Sequence, residues 1–251
     1  MADSKVISLD KIKVACRNCS LGTLCLPLGL TPDDVDRLDS IIKRNRPLHR
    51  GDHLFRSNDK FNSLYVVKTG VVKTYTQSNE GSEQVLGFHL PGEILGLDAI
   101  ESGNHGCNAK ALETTALCEM PFDHLEELSA SIPSLQHQLF RLLSKEISSE
   151  AEMMSLLSKS SAEERLASFL LGLSERFKRR GFSSTDFFLS MSRQEIGSYL
   201  GLALETVSRL FTRFQDEGIL KVERKHVMIL DMEKLRSMIT FQTQCDKSQQ
   251  S

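Results

Sequence analysis

Three thiols stand within ten residues, at Cys16, Cys19 and Cys25, in the spacing C-x2-C-x5-C. A two-residue gap lets both flanking sulfurs face inward on one turn, and the longer gap brings the third to the same centre. A structural zinc module adds a second, distant pair of ligands, which this sequence lacks. One further sulfur completes a four-cysteine iron–sulfur site. Ser20 can donate to a cluster sulfur, Gly22 relaxes the loop, and Leu24 can screen the centre from solvent and oxidant. Two cysteines could supply the fourth ligand: Cys118 in an apolar run and Cys107 in a polar turn. Position does not choose between them, and an inert buried thiol describes either. The competing readings are a zinc site and three unrelated cysteines.

A second set of residues could read nucleic acid. Ser192-Arg193-Gln194-Glu195 is a capping box, which starts a short helix that Gly201 stops. A second helix follows from Leu204 to about Asp216, with Val207, Leu210, Phe211 and Phe214 as its apolar stripe. Helix, glycine turn and helix make a helix-turn-helix. Glu205, Ser208, Arg209 and Thr212 fall at i, i+3, i+4 and i+7 on the other side, with Arg213 beside them. In a major groove Arg209 can pair with guanine O6 and N7, Glu205 can accept from cytosine N4, and Ser208 can reach a base or phosphate. The alternative is an i,i+4 Glu205–Arg209 salt bridge on a solvated helix. Residues 222–230, with Lys221, Arg224, Lys225 and His226, read as a two-stranded wing that touches phosphates.

These sets need elements to position them. Pro133 suits the first turn of a long helix running to about Leu157. Phe140, Leu143, Ile147, Met154 and Leu157 form an a/d seam whose missing position is Glu150. In a parallel pair two Glu150 carboxylates ~8 Å apart repel by roughly 2 kcal/mol at an effective dielectric of ~20. The seam predicts a weak dimer that a modest input can tip; the plainer reading packs it on the chain's own core. Residues 63–68, 71–76, 84–89 and 116–120 read as strands, punctuated by turns at Gly51, Gly70, Gly81, Gly92 and Gly103. The chain turns helical at 122–128. A helix opens near Ser160-Ser161 and stops at Gly181, and 187–191 is strand-like. The expected fold class is α+β: a jelly-roll β-roll, a long dimerisation helix, and a C-terminal winged helix-turn-helix. The expected boundaries are a cysteine-rich segment 1–30, β-roll 31–132, dimer helix 133–159, DNA-binding domain 160–241 and a disordered tail 242–251.

A chain of 251 residues can bury two cores. The longest apolar runs fall far short of a bilayer span, and residues 1–10 hold no signal-peptide core, so a cytoplasmic protein with no membrane partner is expected. Six cysteines in a reducing compartment favour ligand roles over disulfides. Net charge is −2, but residues 159–236 hold 14 Lys and Arg against 11 Asp and Glu, while the remainder holds 17 against 22. The basic end suits DNA. No P-loop or dinucleotide fingerprint argues for an enzyme.

The sequence resembles the Crp/Fnr superfamily of bacterial transcription regulators, in particular its oxygen-sensing fumarate–nitrate reduction branch, from about residue 16 to 235. The resemblance rests on the three N-terminal cysteines, Leu112-Glu113-Thr114 with Leu117-Cys118-Glu119, and Ala162-Glu163-Glu164-Arg165-Leu166-Ala167. It rests equally on Tyr199-Leu200-Gly201-Leu202 followed by Glu205-Thr206-Val207-Ser208-Arg209. Pro91-Gly92-Glu93-Ile94-Leu95-Gly96 looks like the opening of the phosphate cassette of cyclic-nucleotide β-rolls. The arginine that holds the phosphate there is missing from residues 104–109, so no cyclic nucleotide is expected. The resemblance implies that Cys118 joins Cys16, Cys19 and Cys25 around a 4Fe-4S cluster that oxygen degrades. It implies a homodimer on a palindromic TTGAT-type operator, read by Glu205, Ser208 and Arg209, and control of anaerobic respiration genes with RNA polymerase as partner. Cys107 has no counterpart among the family's ligands, Leu204 replaces a smaller residue, and residues 79–83 match the polymerase-contacting region only loosely. A cluster-free thiol–disulfide regulator and an iron–sulfur electron carrier are the alternative functions.

Overall fold

The computed structural model describes residues 15–239. Cys245 and the expected tail 242–251 lie outside the described residues, as does the start of the cysteine-rich segment. The described chain forms two units. One runs to Thr74 and resumes over Phe88–Arg141; the other comprises Tyr75–Gly87 and the chain from Leu142.

Residues 32–131 form a β-roll fronted by a helix. Helix α1 (Pro32–Ile41) starts at Thr31, whose hydroxyl accepts from the Asp34 N–H, with proline in its first turn. Strands β1 (His53–Phe55), β2 (Ser63–Thr69), β3 (Val72–Gln77), β4 (Glu83–His89), β5 (Ile94–Leu95), β6 (Asn108–Ala111) and β7 (Ala116–Pro121) follow, then helix α2 (Phe122–Ser131). They form two sheets, ordered β1-β6-β3-β4 and β5-β2-β7. Phe55, Val67, Val72, Leu95 and Ala109 meet in the core between them. Strands β2, β3, β4 and β7 are readable from sequence as β-type runs between turn residues. Strands β1, β5 and β6 are too short to show a period.

Helix α3 (Pro133–Lys159) spans 27 residues. Beyond it come α4 (Ala162–Arg179), β8 (Asp186–Phe188), α5 (Arg193–Leu200), α6 (Leu204–Asp216), β9 (Leu220–Glu223), β10 (His226–Ile229) and α7 (Met232–Ser237). The architecture is the expected α+β arrangement of β-roll, long helix and winged helix-turn-helix.

Several local expectations need correcting. Cys107, read as lying in a polar turn, stands in a bend one residue before β6 and is 6% exposed, its thiol 3.6 Å from Asp98 Oδ2, as the buried-thiol reading has it. The wing has three strands, ordered β8-β10-β9. Its added strand covers 186–188, against the 187–191 read from sequence, because the ladder with β10 pairs only Asp186, Phe187 and Phe188. The segment 31–132 opens on α1, a helix whose Thr-Pro-Asp-Asp start is a legible capping signal.

Candidate metal centre and nucleic-acid interface

Cys16, Cys19, Cys25 and Cys118 line one pocket, whose other walls include Leu26, Leu38, Ile42, Val66, Val67 and Met120. Cys107 is not among its lining residues. Cys16 stands in a short 3-10 turn, Cys16–Asn18. Cys118 lies on β7 opposite Val66 of β2. The loop is tied down by polar bonds to distant residues. The Cys16 N–H donates to Asp39 Oδ1 at 2.8 Å, and Arg17 pairs with Asp36 of α1 at 2.5 Å. Leu26 is fully buried and anchors the far end.

The sequence reading missed two supports of this loop. Gly92 has φ +88°, and a Cβ there would stand 3.1 Å from the Leu24 side chain, so the Pro91-Gly92 turn forms the floor of the loop. Gln138, 5% exposed on α3, points Nε2 at the Cys25 carbonyl (3.4 Å) and accepts from Arg141 Nη1 at 3.2 Å. A buried polar residue facing inward, two positions before the first seam residue, was the available signal.

Burial raises the thiols. Cys25 is pushed up to about 12, mainly by desolvation. Cys16 is raised by burial and by the neighbouring Asp39 carboxylate. Cys118 is raised by burial, against the lowering pull of Arg44 and Lys68. Asp39 stays below the usual carboxylate range: burial opposes this, but the Cys16 N–H and Arg44 outweigh it. Among the described residues no group of three or more His, Cys, Asp or Glu is drawn together as one metal ion requires. The donor set is four soft sulfurs in an apolar wall beside two cations, which fits the thiolate ligation of an iron–sulfur cluster. Ser20 is exposed and Leu24 half-buried in the loop.

Helix α3 leaves its seam uncovered. Phe140, Ile147 and Met154 are 60%, 67% and 73% exposed, Leu143 and Leu157 are half-buried, and Glu150 is exposed. The plainer reading, in which these side chains pack on the chain's own core, therefore fails for three of five. Fully burying such a side chain is worth about 1.5–3 kcal/mol.

In the second unit α5 opens with the expected capping box: Ser192 Oγ accepts from the Glu195 N–H, and the Glu195 carboxylate accepts from the Ser192 N–H. Gly201 closes it in the left-handed conformation. Gly197 is required by contact, since a Cβ there would stand 2.6 Å from the Leu202 carbonyl of the turn. Helix α6 buries Val207, Leu210, Phe211 and Phe214. Arg193 of α5 lies 3.1 Å over the Phe211 ring, and burial lowers it to about 10. Arg165, another residue missed in sequence, joins three elements by donating to the carbonyls of Leu157, Ser160 and Leu200.

Glu205, Ser208, Arg209, Thr212 and Arg213 are all exposed on α6. Among the described residues no ion pair joins Glu205 to Arg209; Arg209 instead reaches the Thr206 hydroxyl at 3.5 Å. Thr212 Oγ1 donates to the Ser208 carbonyl. Arg213 is shared between Glu163 and Glu217. On the wing, Lys221 pairs with Glu223 and His226 with Asp186, Lys225 donates to the Ser190 carbonyl, and Arg224 is exposed at the hairpin tip.

A sensor-type β-roll, a long helix with an open apolar seam and a helix-turn-helix with an exposed polar face define a DNA-binding regulator. Residues 45–131 match the cyclic nucleotide-binding domain family and residues 164–238 the Crp-like helix-turn-helix domain. The chain is 54% identical over 216 residues to the transcriptional activator protein anr of Pseudomonas aeruginosa, covering 86% of this chain and 88% of that one. It is 46% identical over 225 residues to the fumarate and nitrate reduction regulatory protein of Escherichia coli, covering 90% of both. The solved structure of FixK2 from Bradyrhizobium japonicum superposes with a TM-score of 0.74 at 28% identity, over 81% of this chain and all of that one. This chain belongs to the Crp/Fnr family of transcription regulators. Among the described residues no helix is long and apolar enough to cross a membrane.

Proposed function

We propose that this protein is an oxygen-responsive regulator of anaerobic respiration genes, acting from the cytoplasm as a homodimer on a palindromic operator. The observation that carries the reading is the gathering of Cys16, Cys19, Cys25 and Cys118 on one apolar pocket whose loop is bonded to α3 through Gln138. The names of the two relatives, a transcriptional activator and a fumarate and nitrate reduction regulator, support the physiological setting.

The four cysteines would hold a 4Fe-4S cluster, a centre that oxygen dismantles. The chain supplies the rest. With its thiols tied together, the loop from Cys16 to Cys25 keeps its place on α1 and the Pro91-Gly92 turn, and the Cys25 carbonyl stays within reach of Gln138. Gln138 then holds the inner face of the first turns of α3, while Phe140, Leu143, Ile147, Met154 and Leu157 face a second copy. That gain offsets the repulsion between two Glu150 carboxylates. Untied thiols release the loop and remove the support, and a few kcal/mol is enough to move such an equilibrium.

The dimer places two α6 helices about 34 Å apart, one turn of duplex, for a palindrome. Glu205, Ser208 and Arg209 read bases, with Thr212 beside them. Arg213 reaches phosphate by giving up its bonds to Glu163 and Glu217. RNA polymerase is the further partner. The phosphate seat of the β-roll is adapted to the chain itself: residues 104–109 carry no arginine, and Asp98 Oδ2 accepts the Gly106 N–H at 2.9 Å. A carboxylate at that N–H opposes a cyclic phosphate.

The test is purification under argon with iron and sulfide analysis, an absorbance spectrum before and after air, and retention on a TTGAT palindrome. Colour, iron and sulfide lost in air together with operator binding are expected; iron-free protein that binds the operator equally in air overturns the reading.

A further inference from the structure

Next to Cys16, outside the apolar lining of the cysteine pocket, stands an ion pair, Asp39–Arg44, that the ligand assignment does not use. Cys16 sits in a three-residue turn with no buried residue, so core packing does not fix it. Cys25, in contrast, precedes the fully buried Leu26, and Cys118 is held in a strand ladder. Cys16 is placed by side-chain bonds. Its N–H donates to Asp39 Oδ1 at 2.8 Å. The same Oδ1 is ion-paired with Arg44 Nη2, and that nitrogen lies 3.9 Å from Cys16 Sγ, within hydrogen-bonding reach of a sulfur. The Arg44 side chain is 15% exposed, and its Nε is buried with no hydrogen-bond partner among the described residues. The Asp39 carboxylate thus holds the guanidinium with Nη2 within reach of the Cys16 sulfur.

We infer that Asp39 and Arg44 are positioning residues for the metal centre: Asp39 fixes the backbone of Cys16 and orients Arg44, and Arg44 donates to the Cys16 sulfur and offsets its thiolate charge. This rests on the cluster reading given above. Hydrogen bonds to ligating sulfurs and the charge beside them set how firmly a thiolate-bound centre is held and its reduction potential. The two residues carry opposite charges, so their removal should shift the potential in opposite directions while both loosen Cys16. A purely structural role predicts no such split.

The experiment compares the full-length parent protein, purified under argon, with Arg44→Met, Asp39→Asn, Arg44→Lys and the control Arg17→Met. Arg17→Met removes a tie to α1 that does not touch the sulfur. Iron and sulfide per chain, the rate of bleaching in air and the reduction potential are measured, with circular dichroism as the check on folding. Arg44→Met should bleach about tenfold faster than the parent and shift the potential negative. Asp39→Asn should also bleach faster but shift it positive, and Arg44→Lys should keep the parent's potential. If Arg44→Met fails to fold, Arg44→Gln, which also removes the charge, carries the test, with bleaching and potential equal to the parent's counting against the inference. A coloured parent whose Arg44→Met and Asp39→Asn variants bleach within twofold of it, or shift potential in the same direction, overturns the role of the pair alone. A parent without iron and sulfide overturns the function proposed above, and this inference with it.

Discussion

The recognition helix and the cysteine loop are held in opposite ways. Helix α6 is fixed by its own sequence: four buried side chains on one stripe, a capped partner helix before it, and a glycine turn between. The loop from Cys16 to Cys25 has one short 3-10 turn, and Leu26 is the buried residue of its surroundings among positions 15–30. Its ties run to Asp39, Asp36, Gln138 and the Gly92 turn, all distant in sequence. An element with many buried apolar contacts resists local opening, and one held by a few polar bonds opens readily. The difference divides the labour. On the proposed function, the exposed face of α6 should keep its shape whatever the state of the thiols, and the loop is the part whose placement a change at sulfur should alter.

That division can be broken in several ways. The largest effect belongs to the ligands. Cys118→Ala should abolish iron, sulfide and visible absorbance in anaerobically purified protein, while Cys107→Ala keeps them; both should retain the circular dichroism of the helix-turn-helix. Reversed results would move the fourth ligand to Cys107. Next, Phe214→Ala removes the fully buried ring of α6 and should cost about 3–5 kcal/mol of stability. Thermal melting should show the second unit destabilised and operator binding lost under argon, with the iron content unchanged. A fall in iron as well would mean that the two regions are not independent. Arg209→Ala leaves both regions folded and should cost about 1–3 kcal/mol of discrimination at one base pair, read by gel shift on operators altered at single positions. A uniform loss on every sequence would make Arg209 a phosphate contact. The last effect acts between copies: Glu150→Ala should tighten the aerobic dimer by up to about thirtyfold, measured by sedimentation. An unchanged aerobic monomer would remove Glu150 from the account.

The same contrast explains what could be read from the sequence. The stripe Val207, Leu210, Phe211 and Phe214, the Ser192–Glu195 box and the Gly201 stop are local signals, and each appears in the structure where the spacing placed it. The seam of α3 was legible as a heptad, and exposure of Phe140, Ile147 and Met154 removes the reading in which the chain buries it alone. The pocket was legible only in part. Its first three thiols lie on one loop close in sequence, but local pattern could not separate Cys118 from Cys107, since only the tertiary fold sets one on a strand lining the pocket and buries the other beside Asp98. Asp39, Arg44, Gly92 and Gln138 act across separations that no local pattern records. Helix α1 is different: its Thr31-Pro32 start carried a usable signal.

The most direct test follows dimerisation and colour in one sample. Protein purified under argon is examined by sedimentation velocity at 280 nm and at the visible wavelength of the chromophore, then again at intervals after admitting air. The account predicts a coloured dimer that turns into a colourless monomer, with the visible signal and the dimer fraction falling together. A dimer that persists after the colour has gone, or that forms equally well without iron, would contradict it.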